Sequence, residues 1–537
     1  MTLEHSSSPR GAPGSTLLMA PHAVLHVPSP RDTIGGTPLP APHSPGLGLP
    51  ADPWARDLDL PLDWKQQPRL WGHAFHAMCS YLGAFPPALA HAFIARYSRP
   101  GDVVLDPFSG RGTAPLQACA ERRIGAGNDA NPLAALLTAA KVDPPSRREA
   151  EARLARLHID WTFESADWLA MAAAPESSVL ERPGGGFETI PAAVAAMFDS
   201  ATLAQLLFLR HRLDRALPVD RFLSAALLGI LHGSSRAYVS DAMPNSFSPA
   251  PGYAARFVAG RGAPLPRRDA FRLLGARLAR LYRDGVPATR GVALEGDARD
   301  AGTRLDAVLR ERGLPARVRL VVTSPPYLRT IRYGSANWLR LWFLGRDAAA
   351  VDSTLDAPRD AAAYARFLRD VLRDLRLVLA DDAVVALVVG DVATDLGRPR
   401  SDEHRLALVA WEAAAEPEGY RLAGAVSDRI DPRRKLTRLW GPEAGRATRV
   451  DRIVLLGASE AGRRRALAGI DTPVGWAPRP RTAAMPLAIL GPDAADVPPR
   501  RPRVDGSARA DEEPGSRADD VAAAQLHPPA AGSPVRA

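Results

Sequence analysis

The sequence predicts an α/β protein: a mostly parallel sheet interrupted by a long helical insertion. Three observations lead there. The apolar run Val103-Val104-Leu105 ends in a glycine-bearing turn, followed by a helical stretch and a second short strand. That is the strand–turn–helix–strand order of a parallel unit with buried strands. A second run, Leu320 to Thr323, ends abruptly in Ser324-Pro325-Pro326-Tyr327. Between the two runs, residues 145–290 carry mainly helical patterning.

The first unit spans Asp102 to Lys141. Its turn, Asp106-Pro107-Phe108-Ser109-Gly110-Arg111-Gly112-Thr113, holds two glycines one residue apart, which lets the backbone turn tightly and approach a ligand. A helix is expected over Ala114 to Arg122 and a second strand over Ile124 to Asn128, ending at Asp129. An acid about 20 positions after such a turn holds a ribose hydroxyl pair in nucleotide folds. No Gly-Lys-Ser/Thr follows, and Pro115 occupies the third glycine position of the dinucleotide pattern. A nucleoside ligand without a pyrophosphate remains, and S-adenosylmethionine fits that description. Ser324 to Tyr327 leave the carboxyl end of their strand, where open α/β sheets place ligands, and paired prolines hold the backbone rigid there. Double proline also ends strands without any chemistry.

Composition narrows the class. The 537 residues are 46% hydrophobic and 24% charged, which excludes a wholly disordered chain and allows a large core. Length alone admits two to four domains at ~100–200 residues each. Cys79 and Cys119 are the only cysteines, so a disulfide scaffold and a cysteine zinc site are both excluded. No metal is expected, and a cytoplasmic location is. The longest apolar stretch, Phe222 to Leu231, falls well short of the ~20 residues of a membrane span. Neither a membrane nor a signal peptide is expected.

Lys and Arg outnumber Asp and Glu by 68 to 59. Residues 1–60 and 475–537 each hold 11 of the 51 prolines and lack apolar periodicity, so both read as disordered tails. The tails carry net −2 and zero, which leaves +11 on residues 61–474. A basic surface suits a polyanionic partner. Lys65, Lys141 and Lys435 are the only lysines, and GC-rich coding would also produce an arginine excess.

With these residues in hand, the chain resembles the amino-methyltransferases of DNA, which methylate N4 of cytosine or N6 of adenine. DPFSGRGT (Asp106–Thr113) is similar to their cofactor motif and TSPPY (Thr323–Tyr327) to their catalytic motif. The resemblance implies a Rossmann-like, S-adenosylmethionine-dependent methyltransferase fold with a mostly parallel seven-stranded sheet. It spans about residues 71–457, interrupted by the insertion. His73 to Pro87 resembles the segment holding the methionine end of the cofactor, which brings in Phe85 and Pro86; Ala84 stands where relatives often carry Lys. Asp297, in Gly296-Asp297-Ala298-Arg299, would face the adenine amino group. Strands are expected over Val384 to Val389, Tyr420 to Val426 and Val450 to Leu456, the last two as an antiparallel pair. The cofactor residues implied are thus Phe85, Pro86, Asp106, Pro107, Phe108, Gly110, Gly112, Thr113, Asp129 and Asp297. The catalytic ones are Ser324, Pro325, Pro326 and Tyr327. Ser324 and the Pro325 carbonyl would accept the amine's protons, and Tyr327 would stack on a flipped base.

Domain limits follow: tails at 1–60 and 475–537, a methyltransferase domain at 61–144 and 291–474, and the insertion at 145–290. The insertion is the target-recognition candidate, the bland alternative being a bundle that only buttresses the sheet. Phe271, Leu274, Leu278 and Leu281 lie on one face of a helix, with Arg272, Arg277, Arg280 and Arg283 outside it. Arg236, Asn245, Ser246 and Tyr253 fall in or beside a polar loop long enough to reach DNA. Arg329 and Arg332, after the catalytic motif, and Arg433 and Arg434, in a basic loop, are further DNA candidates. Trp338, Leu341 and Trp342 read as core.

Serine at position 324 looks like the cytosine-N4 subgroup. The favoured reading is a site-specific DNA methyltransferase acting on double-stranded DNA, with a cognate restriction or defence-system component as a candidate partner. The alternatives are an adenine-N6 enzyme, an RNA guanine-N2 methylase, and a non-catalytic DNA-binding protein on the same fold.

Overall fold

The computed structural model describes residues 58–68, 71–174, 179–183, 185–241, 250–260, 262, 264–326, 332–355, 358, 360–390, 406–429 and 450–476. In chain order the first elements are α1 (Pro87–Tyr97), β1 (Val103–Asp106), α2 (Thr113–Ala120), β2 (Ile124–Asp129) and α3 (Pro132–Val142). The insertion holds α4 (Arg147–Ala172), a hairpin of β3 (Val179–Glu181) and β4 (Phe187–Thr189), α5 (Ala192–Ala195), α6 (Ser200–Arg212), α7 (Pro218–Leu228), α8 (Pro251–Ala259) and α9 (Ala270–Leu281). The chain then returns to the sheet through β5 (Val292–Glu295), α10 (Ala301–Glu311) and β6 (Val318–Thr323). After these come α11 (Trp338–Phe343), α12 (Ala348–Thr354), α13 (Ala361–Leu375), β7 (Leu379–Gly390), β8 (Arg421–Arg429) and β9 (Val450–Gly457).

The seven long-range strands form one sheet in the order β5-β2-β1-β6-β7-β9-β8. Five are parallel; β9 runs antiparallel to both β7 and β8, as the sequence suggested for the closing pair. The fold class is the expected α/β one. From β1 the chain first builds outward through β2 to β5, then returns to place β6 on the other side of β1. The carboxyl ends of β1 and β6 therefore flank a topological switch point, where this architecture opens a crevice.

Glycines on β2 set the helix packing. A side chain at Gly125 would overlap the Pro115 carbonyl, and one at Gly127 would stand 2.8 Å from Thr138 Cγ2 and 2.9 Å from Pro115 Cγ. In dinucleotide folds the third turn glycine permits close helix–strand contact. Here Pro115 occupies that place, and the strand supplies the glycines instead.

The insertion helices share one apolar core with α3, with Phe75 and Met78 from the segment before α1, and with α11. Trp338, Leu341 and Trp342 are buried in that core, as read from the sequence. On α9, Phe271, Leu274, Leu278 and Leu281 are all buried, each contributing roughly 1.5–3 kcal/mol. Arg277 departs from the sequence reading. It turns inward and donates to the carbonyls of Ala77 and, at 3.0 Å, Met78, while burial lowers its pKa to about 10. It ties the insertion to the segment ahead of the glycine turn. The β3–β4 hairpin was not anticipated. At the far end, ordered structure runs past residue 474: His91 reaches the Gly475 carbonyl at 2.9 Å, and Trp476 packs on Trp71 and His91. Among the described residues no helix is long and apolar enough to cross a membrane.

Candidate active site

A cavity of about 440 Å³ opens at the switch point. One wall is the turn after β1. Gly110 (φ +51°) and Gly112 (φ +73°) are left-handed, and a side chain at Gly112 would stand 2.9 Å from Thr138 Cα. Pro107, Phe108, Gly110 and Thr113 line the cavity with Asp106. Asp106 is buried at the end of β1 and accepts from Thr323 Oγ1 at 2.6 Å and Phe108 N at 3.1 Å. Burial pushes its pKa up to about 7, against the opposing effect of those two bonds. The Thr323 bond also fastens the strand before Ser324 to the strand before the glycine turn.

Asp129, expected from the sequence to meet a ribose, closes β2. Its carboxylate spans the turn, accepting from Gly110 N at 2.8 Å and Asn131 N at 2.9 Å, and it faces the same cavity. Burial raises its pKa to about 6, and the two backbone bonds oppose that. Asp297 also lines the cavity, but its carboxylate is shared with Arg299, through Nε at 3.0 Å and Nη2 at 2.5 Å. These bonds hold its pKa below the usual carboxylate range. The acceptor expected for an adenine amino group is therefore already paired with a cation. Arg299 in turn sits 5.8 Å over the Phe367 ring, which neighbours Phe108. Phe85 and Ala84 line the cavity, whereas Pro86 is exposed and is the residue just before α1.

Two residues that the sequence reading missed join these parts. Asn128 is fully buried and donates to the Pro107 and Gly296 carbonyls at 3.1 and 3.0 Å. Its Oδ1 accepts from Arg304, which also reaches the carbonyls of Glu295 and Asp297. The ends of β1, β2 and β5 are thereby laced together. Asn128 directly precedes Asp129, and that position was the signal available. Tyr81 lies in the segment quoted around Phe85. Its hydroxyl accepts from Asn131 at 3.0 Å, its ring lies against Gly110, and it stacks on Tyr333 at 5.7 Å.

The opposite wall holds Ser324, Pro326, Tyr333, Thr354 and Leu355, with Pro325 buried between the first two. Tyr327 lies outside the described residues, as do Asn245, Ser246, Arg329, Arg433 and Arg434. Arg236 is exposed after α7, and Tyr253 stacks on Phe257 along α8. The Arg332 side chain is 77% exposed and stands 3.4 Å from Asp352. None of these three lines the cavity.

The residues fit a nucleoside-type cofactor. Left-handed glycines bring backbone close to the space, the carboxylates of buried Asp106 and half-buried Asp129 face it, and Phe85, Phe108 and Phe367 give it apolar walls.

A family model described as DNA methylase, of the N6/N4 class, matches residues 65–132. Two solved structures of the rRNA methyltransferase aviRa from Streptomyces viridochromogenes, at 1.5 and 2.4 Å, are 14% identical. They cover 73% of this chain and 92% of theirs with a TM-score of 0.24. No curated protein matches the chain. The matched stretch carries Tyr81, the glycine turn and Asp129, and over that stretch the chain is similar to the DNA amino-methyltransferases.

Proposed function

We propose that this chain transfers a methyl group from S-adenosylmethionine to the exocyclic amine of a base flipped out of double-stranded DNA, with N4 of cytosine as the acceptor. One observation carries the reading. Asp106 to Gly110 and Thr113 from the first motif, and Ser324 and Pro326 from the second, more than 200 residues apart in sequence, line a single cavity. The matched family stretch covers the first of these motifs.

The cofactor supplies a methyl group on a positively charged sulfur. The chain's task is to hold that methyl and the amine in line. Gly110, Gly112 and Asp129 shape the cofactor side, and Asp106 offers a carboxylate at its floor. An exocyclic amine is a poor nucleophile because its lone pair is delocalised into the ring. Ser324 Oγ and the Pro325 carbonyl accept the two amine protons and free that lone pair. The N–C bond forms as the S–C bond breaks, and one amine proton leaves to solvent. Alignment of this kind supplies much of the rate. Serine rather than aspartate at position 324 favours cytosine.

The test is to incubate the protein with labelled cofactor and duplex DNA or RNA, digest, and identify the modified nucleoside. N4-methylcytosine is expected. N6-methyladenine corrects the base, and label confined to RNA overturns the substrate. Ser324→Ala should lower transfer by about 100-fold or more while cofactor still binds. Unchanged transfer would remove Ser324 from the mechanism.

A further inference from the structure

The acceptor wall of the cavity is tethered by one carboxylate outside both motifs. Asp352, on α12, has a side chain only 9% exposed. It accepts from Gly334 N at 2.7 Å, Ser335 N at 3.0 Å and Ser335 Oγ at 2.5 Å. Arg332 Nε stands 3.4 Å away. Every one of these partners lies beside Tyr333. Gly334 is seated so closely on α12 that a side chain there would overlap the Ala348 carbonyl and stand 2.9 Å from Asp352 Cγ. The next residues after this carboxylate's turn, Thr354 and Leu355, line the cavity themselves.

Tyr333 does not end the chain of contacts. Its ring is nearly parallel to that of Tyr81, at 14° and 5.7 Å between centroids. Tyr81 lies against Gly110 in the cofactor turn and is fixed through its hydroxyl by Asn131. A continuous path therefore runs from Asp352 through Tyr333 and Tyr81 to the turn that holds the cofactor. Bonds from backbone N–H groups to a buried carboxylate are strong and directional. A loop held by two of them and by the Ser335 hydroxyl has little freedom to drift.

We propose that Asp352 is a positioning residue for methyl transfer: by clamping Gly334 and Ser335 it sets Tyr333 against Tyr81 and so fixes the acceptor wall relative to the cofactor turn. This rests on the transfer reaction proposed above. Asp352 touches neither the cofactor turn nor Ser324, so it acts through the distance between donor and acceptor. A displacement of about 1 Å costs up to about 100-fold in rate.

The test uses the full chain, with duplex DNA of mixed sequence and labelled cofactor. In Asp352→Ala, kcat should fall by about 10–100-fold while the cofactor Kd, measured by calorimetry, stays within about twofold. Asp352→Asn keeps one carbonyl acceptor and should recover part of the loss. Gly334→Ala breaks the same clamp from its other side and should reproduce the split between kcat and cofactor affinity. Hydrogen exchange reads the clamp without any substrate: the Gly334 and Ser335 amides should exchange about tenfold faster or more in Asp352→Ala, with β1 and β6 unchanged. Should wild-type protein label no DNA, the transfer reading fails, and exchange at 334 and 335 alone still judges the clamp. Unaltered exchange there, or loss of cofactor affinity in step with kcat, overturns the proposal.

Discussion

The two walls of the cavity are built by different means. The cofactor wall is fixed by backbone: left-handed Gly110 and Gly112, and carboxylates of Asp106 and Asp129 that accept from N–H groups within or beside the turn. The acceptor wall is fixed by side chains brought from afar: Asp352 beneath the loop at Gly334, and Tyr81 beneath Tyr333. A wall set by backbone tolerates almost no change at a few positions. One set by side chains can be loosened by degrees, and its partners can be exchanged without refolding the sheet.

The sharpest way to break this contrast is Gly112→Ala. An alanine at φ +73° costs about 1–2 kcal/mol in backbone strain. Its Cβ would also press on Thr138, adding ~1–3 kcal/mol of overpacking. Thermal denaturation should show a lowered Tm, and calorimetry should show cofactor binding abolished. Gly101→Ala is the control: φ is +90° but nothing lies within 4 Å. It should pay the backbone strain alone and keep its cofactor. Equal damage in both would mean that the turn is not a fitted wall.

A smaller effect is expected from Asn128→Ala. The substitution leaves the Pro107 and Gly296 carbonyls and the Arg304 guanidinium short of a partner. An unmet buried bond costs about 1–3 kcal/mol. Cofactor affinity should weaken by about tenfold or more on that scale, read by calorimetry. This is the mirror image of Asp352→Ala, which should spare cofactor affinity and lower kcat. If the two variants gave the same profile, the walls would not be independent.

The same contrast between local and distant contacts explains what the sequence disclosed. The strand, turn, helix and second strand around Asp106–Asp129 are contiguous, so the glycines and acids that shape the cofactor wall stand in one window. Ser324 and Pro326, which line the same cavity, also stand in one short window. Asp352 had no local mark, because its role comes from packing α12 against a loop on the far side of α11. Arg277 looked like a solvated helix residue and instead caps the Ala77 and Met78 carbonyls, since only the tertiary fold brings those to it. The acid at 297 was visible, but its pairing with Arg299 was not, because two residues of spacing do not fix a side-chain geometry. The strand glycines that replace the missing third turn glycine were also in view at 125 and 127. Their purpose emerges only when Pro115 is seen lying on them.

The finest test separates the walls by titration. Asp106 and Asp129 have pKa values raised by burial to about 7 and about 6 from an ordinary 3.8. In the folded, cofactor-free protein they hold protons that the unfolded chain has already released. Folding stability from these groups is therefore greatest at low pH and declines as pH rises from about 4 to 7, by at most ~1.4 kcal/mol per pH unit for each carboxyl. The sign is opposite to that of a salt-bridged carboxylate. A cationic cofactor prefers the ionised form, so its binding releases the proton. Cofactor affinity should then climb between pH 5.5 and 7, by at most about tenfold per unit for one proton, and level off above 7. Asp106→Asn should bind more weakly at pH 8 and lose the part of the slope nearest pH 7, leaving the part that Asp129 contributes near pH 6. The acceptor wall offers a serine hydroxyl and a carbonyl, neither of which titrates in this range. With cofactor saturating, kcat should therefore change far less across the same window than affinity does. Calorimetry of cofactor binding beside single-turnover transfer at each pH measures the two separately, and a kcat that followed the affinity curve would show that a carboxyl of the cofactor wall also serves the acceptor.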